Sequence, residues 1–143
     1  MNEKMSNQIN RIEVYVEKHD DGTYWGTTQN VPGLVSAYGN SMEELKKNLL
    51  AAFQDYIEVA ELENEDWVNE IKDIKTFTYQ VDVQSFFRLI PEVKISALAK
   101  KAGINESLMR QYATGKANAS EERMKEIEKA VHELGKELLS ISF

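Results

Sequence analysis

The chain contains no cysteine, which excludes a disulfide framework and any thiolate metal site. Histidine is scarce as well. His19 and His132 lie far apart, so a histidine metal cluster is not expected, and no metal or cofactor is called for. No apolar run approaches the roughly 20 residues needed to span a bilayer. The opening segment MNEKMSNQIN is polar and lacks the apolar stretch of a signal peptide. These absences together lead us to expect a soluble, cytoplasmic protein. There is no internal repeat and no low-complexity segment. Gly22, Gly26 and Gly33 do not form a phosphate-binding motif. What is present is enough for folding: 143 residues, 42% of them hydrophobic, can make one domain or two small ones.

The most informative stretch is ISALAKKAGINESLMRQYAT, residues 95–114. It reads as two short helices that cross closely. Leu98, Ala102, Ile104, Met109 and Tyr112 are its apolar positions, and Ala99 is small where the second helix must approach the first. Gly103 falls in the turn, where a left-handed backbone is cheap only for glycine. Facing outward on the second helix are Asn105, Glu106, Ser107, Arg110, Gln111 and Thr114. Asparagine, glutamine and arginine can form paired hydrogen bonds with base edges in the major groove. The pattern therefore predicts a helix-turn-helix that reads DNA. A glycine-turned corner in a plain helical bundle is the competing reading. The agreement of glycine, small residue and apolar positions over twenty residues favours the first.

Charge is divided along the chain in the same sense. The net charge is −7, yet residues 1–80 carry 7 Lys/Arg against 15 Asp/Glu, while residues 81–143 carry 10 against 9. Within residues 94–120, Lys94, Lys100, Lys101, Arg110 and Lys116 are opposed only by Glu106. That local excess suits phosphate contacts. The acidic half would repel DNA, and a basic protein is its natural partner.

Hydrophobic periodicity organises the acidic half. In residues 11–18, Ile12, Val14 and Val16 alternate with Glu13, Tyr15 and Glu17, predicting a half-buried strand. HDDG at 19–22 is a turn signal, and the Thr/Tyr/Trp-rich segment 23–29 closes a hairpin. Pro32-Gly33 marks a bend before a third strand over 34–38. Ser41 and Glu44 form a capping-box pattern. Met42, Leu45, Leu49, Phe53 and Ile57 then recur at helical spacing, predicting an amphipathic helix of about four turns. The acidic stretch 61–73 reads as a loop or short helix anchored by Trp67, Val68 and Ile71. Alternation in TFTYQVDV predicts a fourth strand over 76–83. The order is β-β-β-α-β.

Helices follow: a short one over 84–90, the two described above, and a long one from about Glu121 to Leu139. Ser120 can cap that last helix, and Met124, Ile127, Val131, Leu134 and Leu138 form its expected buried stripe. The sequence thus predicts an α+β protein with domains at residues 1–82 and 83–143. No Gly/Ser linker separates them.

The stretch IEVYVEKHDDGTYWGTTQNVPGLVSAYGNSMEELKKNLLAAFQDYI resembles the N-terminal domain of HicB-type antitoxins. ALAKKAGINESLMRQYATGKANASEERMKEIEKAVHELGKELL resembles a Cro/C1-like helix-turn-helix, and some HicB proteins join these two units in this order. The likeness covers roughly residues 11–140. It implies a partial RNase H-like fold for the first domain, which would contact HicA, a small basic RNase toxin, and an operator-binding second domain that represses its own operon. It does not assign toxin contacts residue by residue. Tyr24 and Trp25 on the hairpin are the candidates. For operator DNA, Asn105, Glu106, Ser107, Arg110 and Gln111 are placed for base edges. Lys100, Lys101, Thr114, Lys116 and Asn118 are placed for phosphates. A palindromic site needs a homodimer or higher homo-oligomer, and the apolar tail 138–143 can supply its contact or simply pack on its own domain.

Other functions fit the residues less well. A two-metal nuclease needs carboxylates converging on cations ~4 Å apart. No spacing forces Glu13, Glu17, Asp20, Asp21, Asp55 or Asp82 together, so an enzyme is not expected. Tyr24 and Trp25 could stack RNA bases, but the surrounding charge is negative. His132 reads as a helix-surface residue, and runs such as Glu128-Lys129 as solvated faces. A stand-alone transcriptional regulator, with a ligand- or protein-sensing first domain, is the alternative function.

Overall fold

The computed structural model describes residues 9–143. The polar opening segment up to residue 8, where no signal peptide is expected, lies outside them. The described chain is mixed α+β, with a four-stranded mixed sheet and six helices. It divides into two compact units, one ending at Val81 and the other running from Asp82 to Phe143.

In the first unit the alternating segment forms β1 (Ile12–Lys18). Ile12, Val14 and Val16 are fully buried on one face. Asp21 builds the turn that follows: its carboxylate accepts from the Thr23 amide (3.0 Å) and hydroxyl (2.6 Å). Those two bonds, the hydroxyl one foremost, hold the Asp21 carboxyl below its ordinary pKa. β2 (Tyr24–Thr28) returns antiparallel to β1, and β3 (Ser36–Gly39) returns antiparallel to β2. The third strand lies further along than expected, since Leu34 is 70% exposed and stays in the bend.

Helix α1 (Met42–Leu62) starts as the capping pattern requires. The Ser41 hydroxyl accepts from the Glu44 amide (3.1 Å), and the Glu44 carboxylate accepts from the Asn40 amide (2.5 Å). It continues for 21 residues, beyond the four turns expected, because Ala60 adds one more buried position and Asn64, with φ 56°, makes the stop. Leu45, Leu49 and Phe53 seal the sheet. Each fully buried aliphatic side chain contributes about 1.5–3 kcal/mol relative to an exposed one. Gly39 allows the close approach: a Cβ there would lie 2.6 Å from the Leu45 nitrogen.

The acidic stretch holds a single helical turn, α2 (Val68–Ile71), with Val68 and Ile71 buried. Trp67 stacks on Tyr56 at 5.3 Å. β4 (Phe77–Gln80) then pairs parallel with β1, giving the order β3-β2-β1-β4. The alternating pattern predicts strand as far as Val83, but β4 ends at Gln80. Instead Asp82 accepts from the Ser85 amide (2.7 Å) and caps a helix, so a local cap overrides the alternating pattern.

The second unit contains α3 (Val83–Leu89), α4 (Ile95–Ala102), α5 (Glu106–Thr114) and α6 (Glu121–Leu139). Leu98, Ala99, Ile104, Met109, Tyr112, Ile127 and Ala130 form its core. The last helix departs from its expected stripe. Ile127 is buried, but Met124 is 41% and Leu138 62% exposed. The fully buried positions of α6 are confined to its middle, where Ala130 joins Ile127 although the expected stripe does not include it.

Candidate nucleic-acid and protein interfaces

The corner between α4 and α5 follows from Gly103. Its φ is 72°, the left-handed region. There the Ile104 amide donates to the Ala99 carbonyl (2.9 Å) and the Gly103 amide to the Lys100 carbonyl (3.2 Å). This paired closure satisfies carbonyls that the helix end would otherwise leave open, and it buries Ile104 and Ala99 together. The chain then leaves at an angle that sends α5 across α4. Met109 and Tyr112 anchor α5 from below.

Asn105, Glu106, Ser107, Arg110, Gln111, Thr114, Lys116 and Asn118 are all exposed, as are Lys100 and Lys101. Exposure is shared, but engagement is not. The Asn105 carbonyl oxygen accepts from the Ser107 (2.9 Å) and Leu108 (3.3 Å) amides, capping α5. Its amide nitrogen alone is left for a base, so a paired bond to adenine would cost the cap. Glu106 receives Arg110 through both Nη2 (2.7 Å) and Nε (3.1 Å). The Thr114 hydroxyl donates to the Arg110 carbonyl (2.9 Å), back onto its own helix. The Lys101 ammonium is paired with the Glu137 carboxylate of α6 at 2.7 Å. Lys100 and Lys116 extend from the helix and loop flanking the corner.

The sheet of the first unit has a second surface of interest. Register and alternation place Glu13, Tyr15, Glu17, Trp25, Thr27 and Tyr38 on the face opposite the buried row of Ile12, Val14 and Val16. Trp25 stacks on Tyr38 (centroids 4.9 Å apart, 21°) and on His19 (5.3 Å, 17°). Tyr24 and Trp25, adjacent in sequence and expected to share one surface, are separated by the strand. Successive residues point to opposite faces, so Tyr24 turns away from Trp25 and lies beneath the Lys18 ammonium at 5.3 Å. Sequence reading missed His19 and Tyr38. The hairpin spacing hinted at His19, but the pairing of Trp25 with Tyr38 depends on the β2–β3 register across an irregular bend.

The carboxylates considered for metal chemistry are dispersed among these roles. Asp21 holds the turn, Asp82 caps α3, and Glu13 and Glu17 lie on the open face. Among the described residues, no group of three or more His, Asp or Glu side chains converges as a metal site would require. No helix among them is long and apolar enough to cross a membrane.

With both surfaces defined, the chain was compared with family models, curated proteins and solved structures, and none of the three comparisons gave a match.

Proposed function

We propose that this chain is a HicB-type antitoxin. In this reading the acidic first unit, a partial RNase H-like fold, covers a basic HicA-like RNase. The second unit is a helix-turn-helix that binds operator DNA. The protein neutralises by occupation and performs no chemistry. The observation that carries the reading is the outward row on α5. Ser107, Arg110 and Gln111 stand exposed on a short helix whose other face is locked into the core by Met109 and Tyr112. A positive cluster flanks that row, while the first unit is strongly acidic. A strongly acidic first unit and a local positive cluster on the second fit two partners of opposite charge. Leu138, Leu139, Ile141 and Phe143 are exposed and offer the apolar contact that a homodimer or higher oligomer would use to span two half-sites.

The test is co-expression with the product of the adjacent reading frame. A short basic protein should co-purify with this chain, and its RNA cleavage should be blocked in the complex. The promoter DNA of the pair should be protected in a footprint. Failure to bind either partner would reject the reading. One observation bears on the alternative of a ligand-sensing stand-alone regulator: an open, largely polar groove of about 410 Å³ where Leu50, Phe53, Ile57 and Ile74 are joined by Asp55, Glu58, Glu61, Lys72 and Lys75. That alternative gains if a small molecule bound in this groove alters DNA affinity and no basic partner is found.

A further inference from the structure

The open sheet face carries a feature that the fold itself does not need. The core of the first unit lies on the other side, where Leu45 and Leu49 of α1 meet Val14 and Val16. Yet His19, Trp25 and Tyr38 form a continuous three-ring ladder on the open side. Tyr38 is 54% exposed. Glu17 stands opposite Trp25 in the β1–β2 register, and its carboxylate lies 3.8 Å from His19 Nε2 with more than half of the side chain in water.

A planar ring face beside a carboxylate is a receptor for one kind of side chain. A guanidinium stacks on aromatic rings and pairs with a carboxylate through its fork of donors. An ammonium can use the charge but not the stacking. The chain meets some aromatic rings with cations of its own elsewhere: Lys18 lies over Tyr24 and Lys46 over Tyr79. In the ladder, Trp25 is half-buried between its two neighbours, while the end rings His19 and Tyr38 are exposed, His19 with the Glu17 carboxylate beside it. Nucleic acid bases could also stack there, but their phosphates would face a unit with 15 carboxylates and 7 cationic side chains. A cationic protein meets attraction at the same place.

We propose that the His19–Trp25–Tyr38 ladder, with Glu17 at its edge, docks arginine side chains of a basic protein partner. This deepens the antitoxin reading and rests on it for the identity of that partner. The arginine preference is a property of the surface and can be measured separately.

The experiment uses the full chain carrying Trp67→Phe, so that Trp25 is the one fluorescent indole. A hexa-arginine peptide is titrated at low ionic strength, with hexalysine and a mixed-sequence single-stranded RNA as the other probes. Expected results are a saturable change in Trp25 emission with arginine, tighter binding than lysine, and movement of the Trp25 and Tyr38 amide signals. Tyr38→Ala, at a position 54% exposed and with folding checked by circular dichroism, should weaken the arginine peptide about threefold to thirtyfold. Glu17→Gln should weaken it as well. Equal affinity for arginine and lysine together with no effect of Tyr38→Ala overturns the proposal, as does RNA binding at the ladder in preference to the peptides. A basic neighbouring protein that binds Tyr38→Ala as tightly as the parent would overturn the docking role while leaving the antitoxin reading intact. Arginine binding at the ladder, with no basic neighbouring protein bound, would sustain the surface and reject that reading.

Discussion

At the scale of single residues, Arg110 and Glu106 illustrate how exposure differs from availability. Glu106 holds the Nε and Nη2 side of the guanidinium, so the end of the fork is the part directed outward for a base. A guanine O6/N7 pair can accept that end. Arg110→Ala is expected to lower operator affinity by about 1–3 kcal/mol and to relax preference at one base position. Glu106→Ala should raise affinity for random DNA by removing a negative charge, and broaden preference at that same position by freeing the guanidinium. Binding curves on operator and scrambled duplexes check both. An equal loss on both duplexes for Arg110→Ala would assign the residue to a phosphate. The charge and hydrogen-bonding type of these residues were plain in the sequence. Their i, i+4 pairing was foreseeable from helix geometry, but not which face of the guanidinium it would occupy.

At the scale of elements, helix starts decide most of the architecture. Ser41, Asp82, Asn105 and Ser120 each accept a backbone amide from the first turn of their helix. Two of these caps were legible: Ser41 from its partner Glu44, and Ser120 from the acidic residues after it. Asp82 lies inside an alternating run that resembles strand, and Asn105 has a side chain that suits a base edge as well as a cap. One cause underlies both cases. A short polar side chain serves a cap or a partner equally well, and only the backbone path shows which. Asn105→Ala should destabilise the second unit by about 1 kcal/mol, measured by urea unfolding. Asn105→Ser should restore most of that stability because its hydroxyl can cap. If the serine variant is as stable as the parent yet loses operator affinity, the Asn105 amide nitrogen touches DNA; if affinity is unchanged, Asn105 acts as a cap alone.

At the scale of the whole molecule, two cores of different construction coexist. The first is a sheet sealed by α1, and the second a helical cluster around Leu98, Met109 and Ile127. Each buries its own apolar residues, so a chain ending at Val81 should unfold cooperatively on its own, followed by circular dichroism on heating. It should retain binding of the basic partner and lose binding of DNA. A folded fragment that fails to bind that partner would show that the second unit contributes to the protein contact. DNA binding by the intact chain should fall steeply with salt, as counterion release requires.

Alternation in β1, the capping box of α1 and the glycine-turned corner could be read from residue order because each depends on neighbours within one turn or one strand. The same locality made the class, mixed α+β, and the division of charge accessible. Tertiary structure alone decided the rest. It paired β4 parallel with β1, set Trp25 against Tyr38 while turning Tyr24 to the other face, drew Lys101 to Glu137, and left Met124 and Leu138 in water. These outcomes depend on register and on which elements meet, and contacts between residues distant in the chain are set by the packing of the folded units rather than by any local pattern.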